Sequence, residues 1–394
     1  MAKKILFLRT PPYDLNPKSY NNQQIGLGKA LCRMGYDFDF VTFKKKDQKE
    51  WVFFEENGCR ARYIEMPRRR FMRWGYNKDV LRKEFIEQYD VILSQEYYQI
   101  MTYLISRKSN KVVMYSGPYT NLFMLPFSSS IYDFIFTKRI NQQINLKLAK
   151  SELAKLFLEE KGYTNVHTVG VGLDYERFDE EKEIRPETQK IVDYMKSNKC
   201  ILYVGSLWSV KNYPFLLKVY EKILKRDHEV KFVIIGKSKA SAWAKLIGKT
   251  DESYAEGVEK KLPERVRNGI YHVSRIDNPQ LKYVYPHAKA FLLPSKFEIF
   301  GMVLMEAMYL GAPVVTGKNG GSTTLFGDSD QYGQIVEQFN ADLWADAVMR
   351  YLRDPDYAKQ VVECAKRKVV EEYNWNVRAD KIISLIKEVG LLKD

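Results

Sequence analysis

The sequence Ile201-Leu202-Tyr203-Val204-Gly205 is a continuous apolar run that precedes a loop and an amphipathic helical pattern. Near the amino terminus, Ile5-Leu6-Phe7-Leu8 is followed by the same succession. A strand without polar alternation has both faces covered, which is typical of a parallel sheet between helices. Because this strand-then-helix order occurs twice, the sequence predicts an α/β chain with two Rossmann-like domains.

The predicted domain limits follow from the composition along the chain. The first Rossmann-like domain is predicted over residues 1–180 and the second over 200–375, with the charged segment 181–199 as a linker. The last helical segment, 376–394, is predicted to pack back on the first domain. Ligands of such folds bind beyond the carboxyl ends of the strands, so we expect two facing domains and a deep cleft between them that holds the site.

The overall composition excludes several classes of protein. The chain has 394 residues, 45% of them hydrophobic, which supports sizeable cores and excludes a disordered chain. Its four cysteines contain no C-x-x-C pair, which argues against a disulfide framework or a zinc ribbon and favours the reducing cytoplasm. No apolar run approaches the roughly 18 residues of a membrane span, and no signal peptide is recognised.

The positive charge is concentrated at the front of the chain. Residues 1–150 hold 26 Lys+Arg against 14 Asp+Glu, a balance of +12 out of the total of +14. The densest part is 67–74, where arginines and aromatics interleave, and the apolar stretch 122–136 is a candidate for lying on a membrane. The patch suits an anionic membrane surface or an anionic acceptor, or is simply a solvated loop. Without a recognisable nucleic-acid motif, no nucleic-acid partner is expected.

Two acids eight positions apart mark the strongest candidate site. Glu298 lies in a loop after the predicted strand 291–295, and Glu306 lies roughly one and a half turns into the next helix. The backbone N–H groups at the start of that helix, Gly301 to Val303, have no partners within the helix and lie at the positive end of its dipole. This arrangement suits a diphosphate. Alternatively, Glu298 is a loop charge and Glu306 a solvent-facing helix residue.

Nothing in the sequence calls for a metal or a cofactor. Asp37-Phe38-Asp39 imitates the metal-binding pair of other sugar transferases, but its alternation favours a solvated strand edge. The four histidines form no cluster with metal-ligand spacing. We therefore expect neither an essential metal nor a bound cofactor.

The segment from Glu298 to Glu306 resembles the E-x7-E signature of retaining glycosyltransferases of family 4, which have the GT-B architecture of two Rossmann-like domains. The resemblance covers nearly the whole chain. It includes a glycine-lysine loop at 203–212, a hinge at 172–178, a first loop and helix at 24–36, and the aromatic turn at 373–375.

The resemblance implies roles for individual residues. Glu306 would hold the donor ribose, Glu298 the transferred sugar, and Lys211 the diphosphate. The other implied donor-binding residues are Gly205, Ser206, Arg275, Ile276, Phe300, Gly301, Met302 and Val303. The implied acceptor-side residues are Asn21, Asn22, Gln24, Ser116, Gly117 and Tyr119.

Two positions depart from the family pattern. Ser206 stands where an arginine usually partners the lysine on the diphosphate, so Lys211 would act with one charge fewer. Ser116 stands where the front domain usually has a histidine, and no histidine precedes His167. A retaining front-face transfer tolerates this loss, because the leaving diphosphate oxygen can take the acceptor's proton.

The resemblance thus predicts a cytoplasmic, metal-independent, retaining glycosyltransferase, with peripheral attachment to the inner face of the cell membrane as a further hypothesis. Its donor would be a nucleotide-diphosphate sugar, with UDP expected more than GDP, and its acceptor a hydroxyl of a glycan or lipid-linked molecule in cell-surface polysaccharide or glycolipid synthesis. The alternatives are a nucleotide-sugar epimerase or sugar phosphorylase of the same fold, and a non-catalytic binding protein.

Overall fold

The computed structural model describes residues 2–11, 22–44, 48–71, 74–123, 127–180, 183–207, 209–238 and 251–393. The chain divides into two compact units, one made of residues 1–174 with 372–394 and the other of residues 175–371. Each unit contains a Rossmann-like sheet and is described here by itself. The assignment of acceptor and donor to the two units, and the cleft between them, stay predictions.

The strands of the described residues are, in chain order, β1 (Lys4–Arg9), β2 (Asp37–Lys44), β3 (Lys49–Glu56), β4 (Cys59–Pro67), β5 (Arg69–Phe71), β6 (Trp74–Tyr76), β7 (Val91–Gln95), β8 (Val112–Ser116), β9 (Lys147–Ala149), β10 (Val166–Thr168), β11 (Cys200–Val204), β12 (Lys231–Ile235), β13 (Ile270–Val273), β14 (Ala290–Leu293), β15 (Val314–Thr316) and β16 (Gln334–Ile335).

The α-helices of the same residues are α1 (Gln23–Arg33), α2 (Lys83–Ile86), α3 (Ile100–Ser106), α4 (Ser128–Tyr132), α5 (Lys138–Gln143), α6 (Glu152–Glu160), α7 (Pro186–Ser197), α8 (Tyr213–Arg226), α9 (Asp251–Glu259), α10 (Glu264–Arg267), α11 (Met302–Leu310), α12 (Gly320–Phe326), α13 (Ala341–Arg353), α14 (Pro355–Glu372) and α15 (Trp375–Glu388). None of them combines the length and apolar character that a membrane crossing requires.

The first unit is built on an eight-stranded sheet in the order β10-β9-β8-β7-β1-β2-β4-β3. All pairings are parallel except that of β3 with β4. The middle of the central strand β1, residues 5–8, is apolar because both of its faces are covered, as its sequence predicts. Phe7 on β1 packs edge-on against Phe40 and Tyr115, which ties three strands into one core.

The last helix, α15, belongs to the first unit and packs on α1. The indole of Trp375 occupies the space that side chains at Gly26 and Gly172 would fill, since a Cβ at those positions would lie 2.1 Å and 2.6 Å from indole atoms. The backbone N–H of Leu173 donates to the carbonyl of Tyr373 at 2.7 Å. The chain that leaves the first unit and the chain that re-enters it are therefore joined side by side.

The second unit is built on a six-stranded sheet, parallel throughout, in the order β13-β12-β11-β14-β15-β16. From β11 the chain proceeds outward to β12 and β13, and then returns to β14 on the other side. Strands β11 and β14 are therefore the topological switch point, beyond whose carboxyl ends ligands of such sheets bind.

The segment 181–199, predicted as a linker, contains helix α7 and is part of the second unit. Pro186 starts the helix, and Ile191, Val192 and Met195 form an apolar stripe that is buried. The sequence analysis missed this helix because the many charged and polar residues of the segment, which occupy the opposite face, obscure the helical spacing of the apolar ones.

Candidate active site

The two loops that leave the switch point of the second unit carry the predicted catalytic residues. The loop after β11 ends in a 3-10 turn, Ser209–Lys211, and the loop after β14 leads through Glu298 into α11. The N–H of Lys296 donates to the carbonyl of Val210 at 2.9 Å. This backbone bond fixes the two loops to each other.

Lys211 and Glu298 form an ion pair between these loops. The hydroxyl of Ser295 also donates to Oε1 of Glu298, at 3.1 Å. The exposed fractions of the two charged side chains are 21% for Lys211 and 12% for Glu298. Both are thus held in place and still accessible to a ligand.

The start of α11 lies next to this ion pair. Gly301 is its N-cap, has φ +73°, and brings no side-chain oxygen to the N–H groups of Met302 and Val303. A Cβ at Gly301 would lie 3.7 Å and 3.8 Å from Cγ and Cδ of Glu298, so the carboxylate flanks the helix start. A cation, a carboxylate and an uncapped helix N-terminus therefore meet at one place, which is a suitable environment for a diphosphate.

Two consecutive glycines that the sequence analysis overlooked, Gly320 and Gly321, pack against the backbone of the loop that carries Glu298. The N–H of Gly320 donates to the carbonyl of Glu298 at 3.1 Å. A Cβ at Gly320 would lie 2.1 Å from the carbonyl oxygen of Ile299, and one at Gly321 would lie 1.7 Å from that of Phe300. Only glycine fits at this distance. The consecutive glycines after β15 were the signal available in the sequence.

Glu306 lies in α11 and is completely buried. Its Oε1 accepts hydrogen bonds from Nη2 of Arg177 at 3.3 Å and from Nδ2 of Asn278 at 3.1 Å. Burial raises the pKa of the Glu306 carboxyl, and Arg177 and Asn278 offset part of the rise. Its Oε2 has no hydrogen-bond partner among the described residues. The alternative of a solvent-facing Glu306 is wrong, and its implied contact with a ribose stays a prediction.

Arg177 belongs to a segment that packs along α11. The rings of Tyr175 and Phe178 stack on Tyr309 with centroids 5.6 Å and 5.9 Å apart. Lys282 donates to the carbonyl of Phe178 at 2.5 Å. The segment is thereby anchored on both sides of Arg177, which explains how this guanidinium reaches a buried carboxylate.

The other predicted donor-binding residues occupy different surroundings. Gly205 has φ +155° and Ser206 accepts a hydrogen bond from the Tyr203 hydroxyl on its carbonyl at 3.0 Å. Arg275 is 70% exposed and its guanidinium pairs with Asp277 at 3.3 Å, with Ile276 half-buried between them. Among the contacts of the described residues, none links Arg275 to Lys211 or Glu298.

The predicted acceptor-side residues lie in the first unit, except that Asn21 falls outside the described residues. Asn22 and Gln24 are buried at the start of α1, and Tyr119 lies beyond β8. Ser116 and Gly117 bind a residue that the sequence analysis missed.

That residue is Glu96, which directly follows β7. Its Oε2 accepts hydrogen bonds from the hydroxyl of Ser116 and the N–H of Gly117, both at 3.1 Å. It has φ +71°, an unfavourable conformation for a residue with a side chain that persists only where neighbours enforce it. An acid directly after a buried strand was the signal in the sequence.

The described residues contain no group of three or more His, Cys, Asp or Glu side chains that could hold a metal ion. The expectation that Asp39 lies on a solvated strand edge is wrong, because it is 1% exposed and binds Arg62 through two hydrogen bonds of 2.8 Å and 2.6 Å. Burial by itself would raise the pKa of Asp39, but the bonds from Arg62 and Lys4 outweigh it and hold the pKa below its ordinary value. Metal independence stays a prediction.

Comparison with known proteins adds to this geometry. Residues 184–368 match the family described as "Glycosyl transferases group 1". An uncharacterized glycosyltransferase of Methanocaldococcus jannaschii is 26% identical over 383 residues, which are 92% of either chain. The residues of the candidate site, Lys211, Glu298 and the start of α11, lie within the segment of the second unit that matches this family.

Solved structures share the fold over the whole chain. A structure described as trehalose-6-phosphate from E. coli bound with UDP-2-fluoro glucose has a TM-score of 0.73 and 13% identity, and covers 98% of this chain and 99% of its own. HepE of Anabaena, in complex with UDP and glucose, has a TM-score of 0.68 and 14% identity over the same shares. The protein therefore has a GT-B-like α/β fold with two Rossmann-like sheets.

Proposed function

We propose that this protein transfers a sugar from a nucleotide-diphosphate sugar to a hydroxyl of a glycan or lipid-linked acceptor, with retention and without a metal ion. One observation carries the proposal: Lys211 and Glu298 meet the uncapped N-terminus of α11 at the switch point of a parallel sheet. The proposed pathway is cell-surface polysaccharide or glycolipid synthesis.

In the proposed reaction, the start of α11, Lys211 and Glu298 each have a separate role. The N–H groups of Met302 and Val303 and the ammonium of Lys211 stabilise the charge that develops on the diphosphate as the sugar–oxygen bond breaks. Glu298 accepts a hydrogen bond from a hydroxyl of the sugar, and the leaving diphosphate oxygen takes the proton of the acceptor hydroxyl. No protein base is needed, which agrees with Ser116 in place of a front-domain histidine.

We infer that the donor nucleotide is UDP rather than GDP. HepE of Anabaena and the E. coli structure contain UDP or a UDP-sugar, and both have the fold of this chain. Isothermal titration of UDP, GDP and their glucose conjugates against the protein tests this inference. Equal or tighter binding of GDP would contradict it.

We further propose that the first unit attaches to the inner face of an anionic membrane, where a lipid-linked acceptor would be found. Phe127, Ile131, Phe134 and Ile135 are exposed large apolar residues with helical spacing around α4 and the π-helical turn 133–137. Exposed Lys138 follows on α5. An apolar face beside cations suits lipid headgroups.

The basic patch at 67–74, also predicted for this role, is only partly described, since Met72 and Arg73 lie outside the described residues. Sedimentation with vesicles of neutral lipid or with added anionic lipid tests the attachment. We expect binding that requires anionic lipid and is lost in Phe134→Asp but not in Phe339→Asp, an apolar-to-acid change at an exposed position of the second unit. Equal sedimentation of both variants would refute it.

The test of the reaction is release of labelled sugar from a UDP-sugar with and without an extract of cell lipids and glycans. Product that appears only with the extract supports a transferase. Product from the donor alone would favour the epimerase, and a requirement for free phosphate would favour the sugar phosphorylase. Binding of the donor without turnover in any condition would favour the non-catalytic protein.

A further inference from the structure

A set of buried charged and polar side chains lies in the first unit, at the carboxyl edge of its sheet. Strands β8 and β1 end at Ser116 and Arg9, and their neighbours β9 and β7 end just before Lys150 and Glu96. In the order Lys150, Ser116, Glu96 and Arg9, the side chains belong to four neighbouring strands. Their exposed fractions are 5%, 0%, 3% and 7%. Carboxyl ends of parallel strands are where ligands of such sheets bind, so a charged cluster here calls for an explanation.

Glu96 accepts several hydrogen bonds from within the protein. Besides the two bonds from Ser116 and Gly117, its Oε1 accepts one from Nε2 of Gln95 at 3.0 Å. Its carbonyl accepts the hydroxyl of Thr102 at 3.0 Å. The carboxylate is therefore a fixed negative charge with most of its acceptor capacity used.

Lys150 differs, because no described residue forms a hydrogen bond or an ion pair with its ammonium. Its Nζ lies 5.2 Å from the centroid of the Tyr115 ring, and its backbone N–H donates to Ser116 at 2.9 Å. The ring face attracts the cation but accepts no ordinary hydrogen bond from its three N–H donors. Burial lowers the pKa of Lys150, with Glu96 opposing and Arg9 adding to the effect. Among the described residues, the buried ammonium is thus in contact with the Tyr115 ring, and its three N–H donors have no hydrogen-bond acceptor.

Two groups at this edge indicate the kind of ligand that would fit. The buried ammonium of Lys150 has no hydrogen-bond acceptor among the described residues. Oε1 of Gln95, the residue before Glu96, is buried without a hydrogen-bond donor among the same residues. An incoming phosphoryl group would accept hydrogen bonds from the ammonium, and a hydroxyl beside it could donate to Gln95.

We propose that Lys150 binds a phosphoryl group of the sugar acceptor at the carboxyl edge of the first sheet. This proposal rests on the proposed function, since the donor diphosphate already has binding groups in the second unit and a separate anion site points to the other substrate. The phosphoryl group can belong to a soluble sugar phosphate or to a prenyl phosphate, and its recognition is the same in both.

The test is isothermal titration of the full chain with inorganic phosphate, glucose 6-phosphate and farnesyl phosphate in a neutral detergent. The variants are Lys150→Met, Lys150→Arg and Glu96→Gln. The control is Lys83→Met, which removes the same charge at a side chain that is 80% exposed. Thermal melting of each variant shows whether it is folded, and titration with UDP reports separately on the proposed donor site.

We expect Lys150→Met to weaken phosphate binding about 10- to 100-fold, the range for a lost charge-assisted hydrogen bond. Lys150→Arg should retain most of the affinity and Lys83→Met all of it. Glu96→Gln should bind phosphate more tightly, because it removes the opposing charge and a flipped Gln95 amide can preserve the hydrogen bonds. If the role of Lys150 were purely structural, Lys150→Met and Glu96→Gln would not change the affinity for phosphate in opposite directions.

The two phosphate esters distinguish a soluble sugar phosphate from a prenyl phosphate. The ester that binds more tightly than inorganic phosphate shows which of the two kinds of acceptor the protein prefers. Wild-type protein that binds none of the three phosphates, or a folded Lys150→Met variant that binds them unchanged, overturns the proposal. Either result can coexist with UDP binding, in which case the transferase proposal stands. If phosphates bind as expected but no nucleotide does, the transferase proposal fails and the anion site remains.

Discussion

Replacing Lys211 by methionine tests the candidate donor site most directly. Methionine keeps much of the length of the side chain but removes the ammonium that bridges to Glu298. In the free protein this also leaves Glu298 with the hydroxyl of Ser295 as a remaining hydrogen-bond donor. The change therefore affects both the developing charge of the leaving group and the position of the carboxylate.

The size of the effect follows from the position of Lys211. Because its side chain is only 21% exposed, an effective dielectric constant of about 20 is appropriate, and two unit charges about 4 Å apart then interact by about 4 kcal/mol. Ser206 brings no second cation to share this task. If most of the interaction is made only in the transition state, kcat falls by roughly a thousandfold.

The assay is the initial rate of UDP release from a UDP-sugar in the presence of acceptor, with kcat and KM determined separately. Lys218→Met on the exposed side of α8 is the matched control and should retain the wild-type rate. Lys211→Arg distinguishes charge from geometry, because it restores the charge with a different shape. A Lys211→Met variant that turns over at nearly the wild-type rate would refute the assigned role of this lysine and of the helix start beside it.

Three further substitutions test the surroundings of the site and the fold. Gly320→Ala should lower the free energy of unfolding by about 1–3 kcal/mol and reduce turnover, because its Cβ would lie 2.1 Å from the carbonyl oxygen of Ile299. The control Gly257→Ala has open space around it and should change neither. Chemical denaturation measures the stability of both variants, and initial rates measure their turnover. Glu306→Gln should gain stability relative to the wild type as pH rises above 4.5. Because the pKa of Glu306 is raised in the folded state, the folded wild type holds this proton more tightly than the unfolded chain, and wild-type stability is lost with rising pH. Urea unfolding between pH 4 and 7 measures this, and the same dependence of stability on pH in both proteins would contradict it. Trp375→Ala should cost about 3–5 kcal/mol by opening a cavity between α15 and α1, seen as a lower Tm, and an unchanged Tm would contradict the packing.

The central strands of both sheets were predictable, and the edges were not. Strands β1 and β11 are buried on both faces, so each contains a run of at least four consecutive apolar residues that is easily recognised. Strand β3 pairs on one side only and is mostly exposed, so its charged sequence resembles a loop. Asn57 and Gly58, both with positive φ, form the turn between β3 and β4, and this Asn-Gly pair was the signal that could have identified the hairpin.

The composition of the candidate site was predictable where a single segment supplies the chemistry. Glu298 and the start of α11 belong to one stretch of chain, and the strand-then-helix pattern locates them. Arg177 and Asn278 lie 129 and 28 residues from Glu306 in sequence. They reach it because the 3-10 turns that contain them, Tyr175–Asp179 and Asn278–Tyr283, pack on α11. Lys150 and Glu96 likewise converge only because their strands are separated in the sheet by β8 alone.

The two glutamates that the spacing suggested as a pair differ in access to a ligand. Glu298 is partly exposed beside Lys211 and can bind a substrate hydroxyl without rearrangement, whereas Glu306 is sealed behind Arg177 and Asn278. A hydroxyl that reaches the unpartnered Oε2 of Glu306 must enter a space that is closed in this structure. Since Arg177 and Asn278 both bind Oε1, such a ligand could use Oε2 without replacing either bond. Binding at Glu306 therefore requires a movement of the residues that cover it, whereas the hydrogen bonds from Arg177 and Asn278 can stay in place.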